Sequence, residues 1–298
     1  LKAKGSVKDG RFWLHPLGSM PDHAKVFDWV TTLWTAWRRL RQEDRRHDVI
    51  YENRNLRIGG KFHLGVKALE MNGLDASELA VATAIVDTFD ARFSKRKTLP
   101  MFVVDDAEYR LKLQAQEFRR WLHGKLSEAD FEKIYGECIT DMLVRGDGVA
   151  YIDEGDDDVF IERVHRSELL VDPHEAKRGE QAVRTMFRFR TVSRDWLLQR
   201  FGDGPDGKVT KAITDCPGAP DRDDNYASDW LASESRVGER DLVDLAEGWH
   251  LPSEACGEDE DGDGRKIVCI ANITLCYEAW KSPRFPFARC TFKKPRRG

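Results

Sequence analysis

The chain has 298 residues and a net charge of −4, with 41% apolar and 10% aromatic residues. This composition excludes a disordered chain, and the near balance of 52 acidic and 48 basic residues excludes a protein that its overall charge would draw onto nucleic acid or membrane. The apolar runs are too short for a membrane-spanning helix, which needs about 20 residues.

The chain begins with Leu1 rather than Met, and its N-terminus lacks the basic and apolar segments of a secretory signal. We therefore expect that the first residues of a longer product are missing and that the protein is not secreted. The cysteines form no C-x-x-C pair, so we expect reduced thiols rather than disulfide bonds.

The first predicted element is an amphipathic helix that follows Pro21. Its apolar residues recur at the steps that place side chains on one helix face. They are Val26, Phe27, Val30, Leu33, Trp34, Trp37 and Leu40. The helix is predicted to continue into an arginine-rich segment interrupted by Glu43 and Asp44. Such mixed charges favour a solvated face over a nucleic-acid surface.

Three helices joined by short loops are predicted over residues 71–145. The first begins at a capping-box pattern formed by Asp75 and Glu78 and carries apolar residues through Phe89. It is predicted to end in the basic, turn-prone segment 94–100.

The second of these helices is predicted from about Asp106, and Gly124 is placed to end it. Its apolar face comprises Leu111, Ala115, Phe118 and Leu122. The third helix is predicted to begin at another capping-box pattern, Ser127 with Asp130. Its apolar stripe comprises Phe131, Ile134, Tyr135, Cys138 and Met142.

A change from helix to strand is predicted at Gly146, because Arg-Gly-Asp-Gly ends the third helix and the β-rich run VAYID follows. An acidic turn over residues 153–158 separates this run from VFIERV, which predicts a β-hairpin. Gly146 and Gly148 are predicted to be required by the backbone path, since a helix end beside a strand start often needs a positive φ angle.

An extended segment is predicted over residues 167–173, where Pro173 disfavours helix at the residue before it. A strand over residues 183–192 alternates apolar and basic side chains, which predicts one apolar and one basic face. Ser193 is predicted to cap a short helix that ends at Gly202.

Residues 202–240 are rich in Gly, Pro, Asp and Ser and poor in apolar residues, which predicts a surface linker. Two strand-like runs, LVDLAEGWHL and KIVCIANITLCYEAW, follow it. The predicted fold class is therefore α+β. It comprises a helical region over 1–72, a helix-rich, wing-like α+β core over 73–201, the linker, and a second β-rich region over 241–298.

The sequence contains no catalytic motif. The segments RIGGKFHLG and RGDGVAY match neither a phosphate loop nor a dinucleotide-binding fingerprint, and nucleophile elbows and H-E-x-x-H helices are absent. Cys269, Cys276 and Cys290 lack the close pairs that bind zinc. We therefore predict that the protein is not an enzyme and has no catalytic residue, metal site or cofactor.

The order of the elements is similar to that of a known family. It begins with the helix WTAWRRLRQEDRRHDVIYEN, continues through VATAIVDTFDARFSKRKTLPMFVVDD and the turn RGDGVAYID, and reaches the Asp-Pro segment VFIERVHRSELLVDPHEAKRGE. The strand TMFRFRTV and the helix SRDWLLQRFG then precede the strand of Trp249 and the run RFPFARC. This succession, over most of residues 34–287, resembles the portal (head-tail connector) proteins of tailed bacteriophages.

The resemblance implies a structural function in the virion. Portal proteins form a ring of about twelve copies at one capsid vertex, and double-stranded DNA is packaged and ejected through it without sequence-specific binding. They bind the packaging terminase, tail adaptors, and capsid and scaffolding proteins, and they have no catalytic residues. The resemblance therefore implies a homo-oligomer of the bacteriophage virion, assembled in the host cytoplasm, with no membrane partner. Portal chains usually continue into long channel-lining helices, so an incomplete portal fold is expected here.

Charged segments are the candidate contact sites of such a ring, because adjacent copies need complementary faces. The basic C-terminal candidates for contact with DNA or an acidic neighbour are Lys293, Lys294, Arg296 and Arg297. The candidate subunit contacts in the arginine-rich helix are Arg38, Arg41 and Arg45. Those in the acidic run over residues 253–263 are Glu258, Asp259 and Asp261.

Two other functions remain open on the sequence. A metal-dependent nuclease or phosphodiesterase would use carboxylates and a histidine to hold Mg²⁺ or Mn²⁺. Its residues would be Asp153, Asp156, Asp157, Asp158 and His165. Acidic side chains in one turn usually point apart into solvent, which argues against this site. The other alternative is an interaction scaffold of unrelated fold.

Overall fold

The computed structural model describes residues 21–51, 76–94, 102, 109–154, 159–178, 183–204, 207–219, 241–252 and 264–292. The chain divides into two compact units. The first unit comprises Leu1–Gln42 and Ser167–Phe285, and the second unit comprises Glu43–Arg166 and Pro286–Gly298. Each unit therefore combines segments that are distant in sequence, whereas the sequence suggests contiguous regions with boundaries at residues 72, 201 and 240.

Eight α-helices and eight strands lie in the described part of the chain, so the protein is of the predicted α+β class. The helices are α1 (Asp22–Ala36), α2 (Arg38–Tyr51), α3 (Ala76–Ser94), α4 (Tyr109–Glu128), α5 (Phe131–Arg145), α6 (Pro173–Arg178), α7 (Arg194–Phe201) and α8 (Lys208–Thr214). The strands are β1 (Asp147–Glu154), β2 (Val159–Val164), β3 (Leu169–Val171), β4 (Thr185–Ser193), β5 (Leu242–His250), β6 (Arg265–Ile270), β7 (Ile273–Ala279) and β8 (Phe287–Thr291). They form two antiparallel sheets, ordered β2-β1-β8 and β3-β4-β5-β6-β7.

Helix α1 covers one face of the five-stranded sheet in the first unit. Val26, Val30 and Leu33 are buried there, which confirms the predicted stripe. They form one core with Leu170, Phe187, Phe189, Ala246, Ile267 and Cys269. The predicted continuous helix is interrupted, however, because α1 ends at Ala36 and α2 starts after Trp37. The Trp37 indole N–H donates to the Val171 carbonyl at 2.7 Å, a contact that no local pattern reveals.

Helices α7 and α8 cover the opposite face of the same sheet. Their core comprises Leu197, Ile213, Cys216, Val243, Leu245, Val268 and Ile270. Ser193 caps α7 as predicted, since its hydroxyl oxygen accepts from the Trp196 backbone N–H at 3.3 Å. Helix α8 lies within residues 202–240, where the sequence suggests only a surface linker. Its Val209 and Ile213, one turn apart, present an apolar face to the sheet.

The predicted basic face of β4 is not a solvated face. Arg188 is 1% exposed, and its Nε donates to Glu168 at 2.9 Å while its Nη1 lies 3.9 Å from Glu247. Glu247 is the cross-strand partner of Arg188 on β5 and also accepts from Arg190 at 3.3 Å. Because helices cover both faces of this sheet, carboxylates rather than water neutralise these arginines.

The three-stranded sheet of the second unit contains the predicted β-hairpin. Strands β1 and β2 pair antiparallel, with Val149 opposite Val164 and Asp153 opposite Phe160. Helix α5 packs on this sheet through its buried face, which comprises Cys138, Ile139, Asp141 and Met142. Strand β8 pairs with β1, although the sequence suggests that it belongs with the other strands of residues 241–298.

The passage from α5 to β1 depends on two glycines, as predicted. Gly146 ends α5 in the left-handed region at φ 92°, and its N–H donates to the Met142 carbonyl at 3.0 Å. At Gly148 the backbone approaches α5 so closely that an added Cβ would lie 1.9 Å from the Cys138 carbonyl oxygen. Both positions are therefore backbone requirements.

The junction between α4 and α5 differs from the prediction. Helix α4 passes through Gly124 and ends at Glu128, and good helix formers follow the glycine. Ser127 therefore lies inside α4, and Asp130 occupies the left-handed region at φ 50° with no side-chain capping hydrogen bond. The predicted capping box is wrong, because the Asp130 backbone N–H donates to the Ser127 carbonyl instead. Asp75, of the other predicted box, lies outside the described residues.

Candidate assembly surface

The structure separates the two described residues of the alternative nuclease site. Asp153 pairs with Phe160, five positions before His165 on the other arm of the hairpin. At about 3.3 Å per residue, Asp153 and His165 lie about 16 Å apart along the ribbon. The Asp153 carboxylate accepts from the Tyr151 hydroxyl at 2.7 Å. The remaining residues of that site lie outside the described part: Asp156, Asp157 and Asp158.

A metal centre would need several ligating side chains close together. Within the described ranges, no three His, Cys, Asp or Glu side chains form such a group. None of the helices described is both long and apolar enough to cross a membrane.

The charged residues expected at subunit contacts are only partly described. Arg38 is exposed and Arg45 is half-buried. Arg41 is 4% exposed, and its guanidinium stacks 3.7 Å above the Trp34 ring and donates to the Trp34 carbonyl at 2.6 Å. Arg41 therefore packs within its own chain. The others lie outside the described residues: Glu258, Asp259, Asp261, Lys293, Lys294, Arg296 and Arg297.

A buried ion-pair network joins helices α2 and α5 to the sheet of the second unit. Asp141 on α5 is 4% exposed and accepts two hydrogen bonds of 2.6 Å from Arg163 on β2. It also accepts from Arg145, one helical turn further along α5. Arg145 in turn donates from Nε to Asp48 on α2 at 2.7 Å. Bidentate arginine contacts of this kind fix orientation as well as distance.

A second group of charges extends the network to β8. Asp147 is buried and accepts from Arg289 on β8 at 2.7 Å, and Nε of Arg166 lies 3.2 Å from the same carboxylate. Arg166 also donates to the Arg145 carbonyl at 2.7 Å. The network therefore connects both edge strands of the sheet with the C-terminal end of α5.

Two titratable groups beside this network have displaced pKa values. Burial raises the pKa of Asp44 to about 6, although Arg166 and Arg145 favour its charged form. Asp44 is 1% exposed, and Arg166 Nη1 lies 3.8 Å away, beyond hydrogen-bonding distance. Burial, followed by the positive charges of Arg145, Arg163 and Arg166, lowers the pKa of His165 to about 3. His165 is therefore neutral near pH 7, and Asp44 titrates close to neutrality.

Exposed apolar side chains are concentrated in the second unit. Among the described residues, Tyr277 is the only large apolar side chain of the first unit that is exposed. Those of the second unit are Ile85, Phe89, Phe93, Phe102, Tyr109, Leu111, Leu113, Phe118, Trp121, Ile152, Val159, Phe160 and Phe292. Soluble monomers rarely expose large apolar patches, so this concentration is typical of an interaction surface.

Helix α4 contributes most to this exposure, and none of its side chains is buried. Phe118 stacks on Trp121 with ring centroids 5.5 Å apart, and Phe102 contacts Phe118 edge-on at 4.7 Å. At about 3.6 residues per turn, Leu111, Phe118 and Trp121 share one face, which Arg110 flanks on one side. The other side is flanked by Lys112 and Arg119. We call these six residues the α4 surface.

The far end of the β1–β2 hairpin exposes a second, smaller set of apolar side chains. Ile152, Val159 and Phe160 are 42%, 37% and 55% exposed. Asp153 lies beside Phe160 on one face of the ribbon, and Glu154 lies beside Val159 on the other. We call these five residues the hairpin end. A groove of about 800 Å³ runs beside β2 and is lined in part by Ile134 and Lys133 of α5.

Sequence reasoning missed both the exposure of α4 and the buried ion pairs. It groups Leu111 and Phe118 on one apolar face without showing whether anything covers that face, and both side chains are exposed. One available signal was the presence of Tyr109 and Leu113 on the side opposite to that face, since a helix packed only on its own core keeps its other faces polar. For the ion pairs, the local signal is the four-residue spacing of Asp141 and Arg145; their other partners are distant in sequence.

Comparison of the chain with models of known protein families and with curated proteins finds no match.

Proposed function

We propose that the protein is a portal subunit, one copy of the ring through which a tailed bacteriophage packages and ejects its DNA. The proposal starts from the sequence resemblance, and one structural observation carries it: the exposed apolar surface of the second unit. Exposed aromatic and aliphatic side chains on a 20-residue helix are stabilised when a partner covers them, and an oligomeric ring supplies that partner.

The order of the elements supports the proposal. Helix α5 ends at Gly146, the β1–β2 hairpin follows, and Pro173 opens α6 directly after the Asp-Pro junction. Strand β4 and helix α7 come next, and β5 carries Trp249. This is the succession of motifs on which the resemblance to portal proteins rests. We propose that the chain adopts part of a portal fold, since the resemblance covers most of residues 34–287.

In this function the chain forms a conduit and performs no chemistry. A ring that lets DNA pass should not bind phosphates tightly, because each neutralised phosphate adds affinity that opposes movement. A net charge of −4 suits this requirement better than a strongly basic chain would. The proposed partners are further copies of the chain, the packaging terminase, a tail adaptor, capsid and scaffolding proteins, and double-stranded DNA, in the virion.

The mass of the assembled particle tests the proposal. Native mass spectrometry and sedimentation velocity at micromolar concentration should detect a closed ring of about twelve copies, which negative-stain images should show directly. A chain that stays monomeric at every concentration contradicts the proposal. Cleavage of DNA or a phosphodiester by that monomer, dependent on Mg²⁺ or Mn²⁺, would support the nuclease instead, and open fibres or a simple dimer would support a scaffold.

A further inference from the structure

Two exposed surfaces of the second unit have opposite charge and similar apolar character. The α4 surface presents Leu111, Phe118 and Trp121, which are 49%, 47% and 52% exposed. Its flanking side chains Arg110, Lys112 and Arg119 are also exposed. The hairpin end presents Ile152, Val159 and Phe160 with Asp153 and Glu154. The α4 surface is therefore apolar with mainly basic flanks, where Glu117 is the exposed acid on the Arg110 side. The hairpin end is apolar with an acidic residue on each face.

We infer that the hairpin end of one copy packs on the α4 surface of a second copy. This inference rests on the proposed function, which requires the copies to assemble. The two surfaces differ, so each copy offers one to its neighbour on one side and the other to its neighbour on the opposite side. Such a heterologous contact produces a ring when the rotation between copies closes and a filament when it does not.

The shapes of the two surfaces support this pairing. The described part of the ribbon reaches the pair Glu154 and Val159, and two paired strands are narrow enough to lie against a single helix. Asp153 and Glu154 project from opposite faces of the ribbon, as their register with Phe160 and Val159 shows. The bases likewise flank the α4 stripe on both sides, with Arg110 on one and Arg119 on the other. Each acid of the hairpin end can therefore meet a base of the α4 surface.

The apolar side chains of both surfaces remain exposed among the residues that the structure describes. Phe160 stays 55% exposed and Trp121 stays 52% exposed within the chain. Between copies, the apolar residues would supply affinity and the charges would select the register and exclude like-charged alternatives. A contact of this kind weakens as salt rises, because its flanking charges lie in solvent.

Charge reversal on each surface tests the pairing. The first variant carries Arg110→Glu and Arg119→Glu, and the second carries Asp153→Lys and Glu154→Lys. Each variant alone should need a concentration at least about tenfold higher than the wild type to assemble, because like charges then face each other. Mixed together, the two variants should assemble again, since the reversed α4 surface of one then meets the reversed hairpin end of the other.

The matched control carries Lys177→Glu and Lys208→Glu, which reverses two exposed charges of the first unit and should leave assembly unchanged. Circular dichroism verifies that each variant is folded, and Glu154→Arg alone replaces the second variant if Asp153→Lys unfolds it. If the wild type assembles and both reversed variants assemble at the same concentration as the wild type, the inference is overturned but the proposed function is not. Failure of the mixture to recover also overturns it. A monomeric wild type overturns the proposed function itself.

Discussion

The Arg163 guanidinium holds the Asp141 carboxylate through two parallel hydrogen bonds, Nε to Oδ2 and Nη2 to Oδ1, both 2.6 Å long. The pair joins the hairpin strand β2 to helix α5, and the hydrogen bonds with Asp141 raise the pKa of Arg163. Arg145 shares the same carboxylate. Two arginines of the second unit therefore share the Asp141 carboxylate, and Arg145 also binds Asp48.

Replacing that carboxylate should destabilise the second unit. Asp141→Asn keeps the shape but leaves Arg145 and Arg163 without their shared negative charge. We expect a loss of about 2–3 kcal/mol in the free energy of unfolding, less than the roughly 3–5 kcal/mol for breaking a fully buried pair, because Arg163 is partly exposed. Urea denaturation measures it, with Lys133→Gln on the exposed side of α5 as the control. Equal stability of Asp141→Asn and the control would show that the charge of Asp141 contributes nothing to stability.

The stability of the protein should depend on pH through Asp44. Its pKa is about 6 in the folded chain, above its ordinary value of 3.8. A raised pKa means that the folded state binds the proton more tightly, so the stabilisation is complete below about pH 4 and is lost as the pH rises through 6. Asp44→Asn cannot ionise, so it should gain about 3 kcal/mol relative to the wild type between about pH 4 and pH 8.

Urea unfolding at several pH values between these limits measures the Asp44 effect. Asp28→Asn, an exposed carboxyl on α1, is the control. The stability difference between Asp44→Asn and the wild type should grow with pH, whereas a difference that stays constant would show that Asp44 is not the titrating group.

A methyl group at position 148 should not be tolerated. In Gly148→Ala the new Cβ would lie 1.9 Å from the Cys138 carbonyl oxygen and 2.9 Å from the Cys290 sulfur, so α5 or β1 has to move. We expect a loss of roughly 2–4 kcal/mol. Gly136→Ala is the matched control inside α5, because its Cβ would meet nothing within 4 Å and should stabilise the helix by about 0.5–1 kcal/mol. Thermal melts of the two variants should shift in opposite directions.

Polar substitutions on α4 should weaken assembly without weakening the folded chain. Phe118→Ser with Trp121→Ser removes two exposed aromatic side chains, so the free energy of unfolding of the monomer should change by less than about 1 kcal/mol. Sedimentation velocity should then show a shift from ring to monomer. Tyr277→Ser, the exposed aromatic of the first unit, is the control and should still assemble. Loss of assembly in both variants alike would remove the special role of α4.

Local signals in the sequence determined much of the secondary structure. The apolar stripe of α1, the hairpin of β1 and β2, the Ser193 cap and the helix end at Gly146 each depend on residues within a few positions of one another. Apolar spacing, a hydroxyl at a helix start and a glycine with positive φ act through the nearest turn of backbone, so the amino-acid sequence alone is enough to find them.

Burial and long-range pairing were decided only by the tertiary structure. A periodic pattern shows which residues share a face, but not whether another part of the chain covers it. Arg188 belongs to an alternating pattern in which polar residues usually face solvent. It is nevertheless buried, because helices cover both faces of its sheet. Leu111 and Phe118 have the helical spacing that is typical of residues packed on a core. They are nevertheless exposed, because no element described in the structure buries that face of α4. Strand β8 joins β1 from the other end of the chain, since backbone hydrogen bonding does not depend on distance along the sequence.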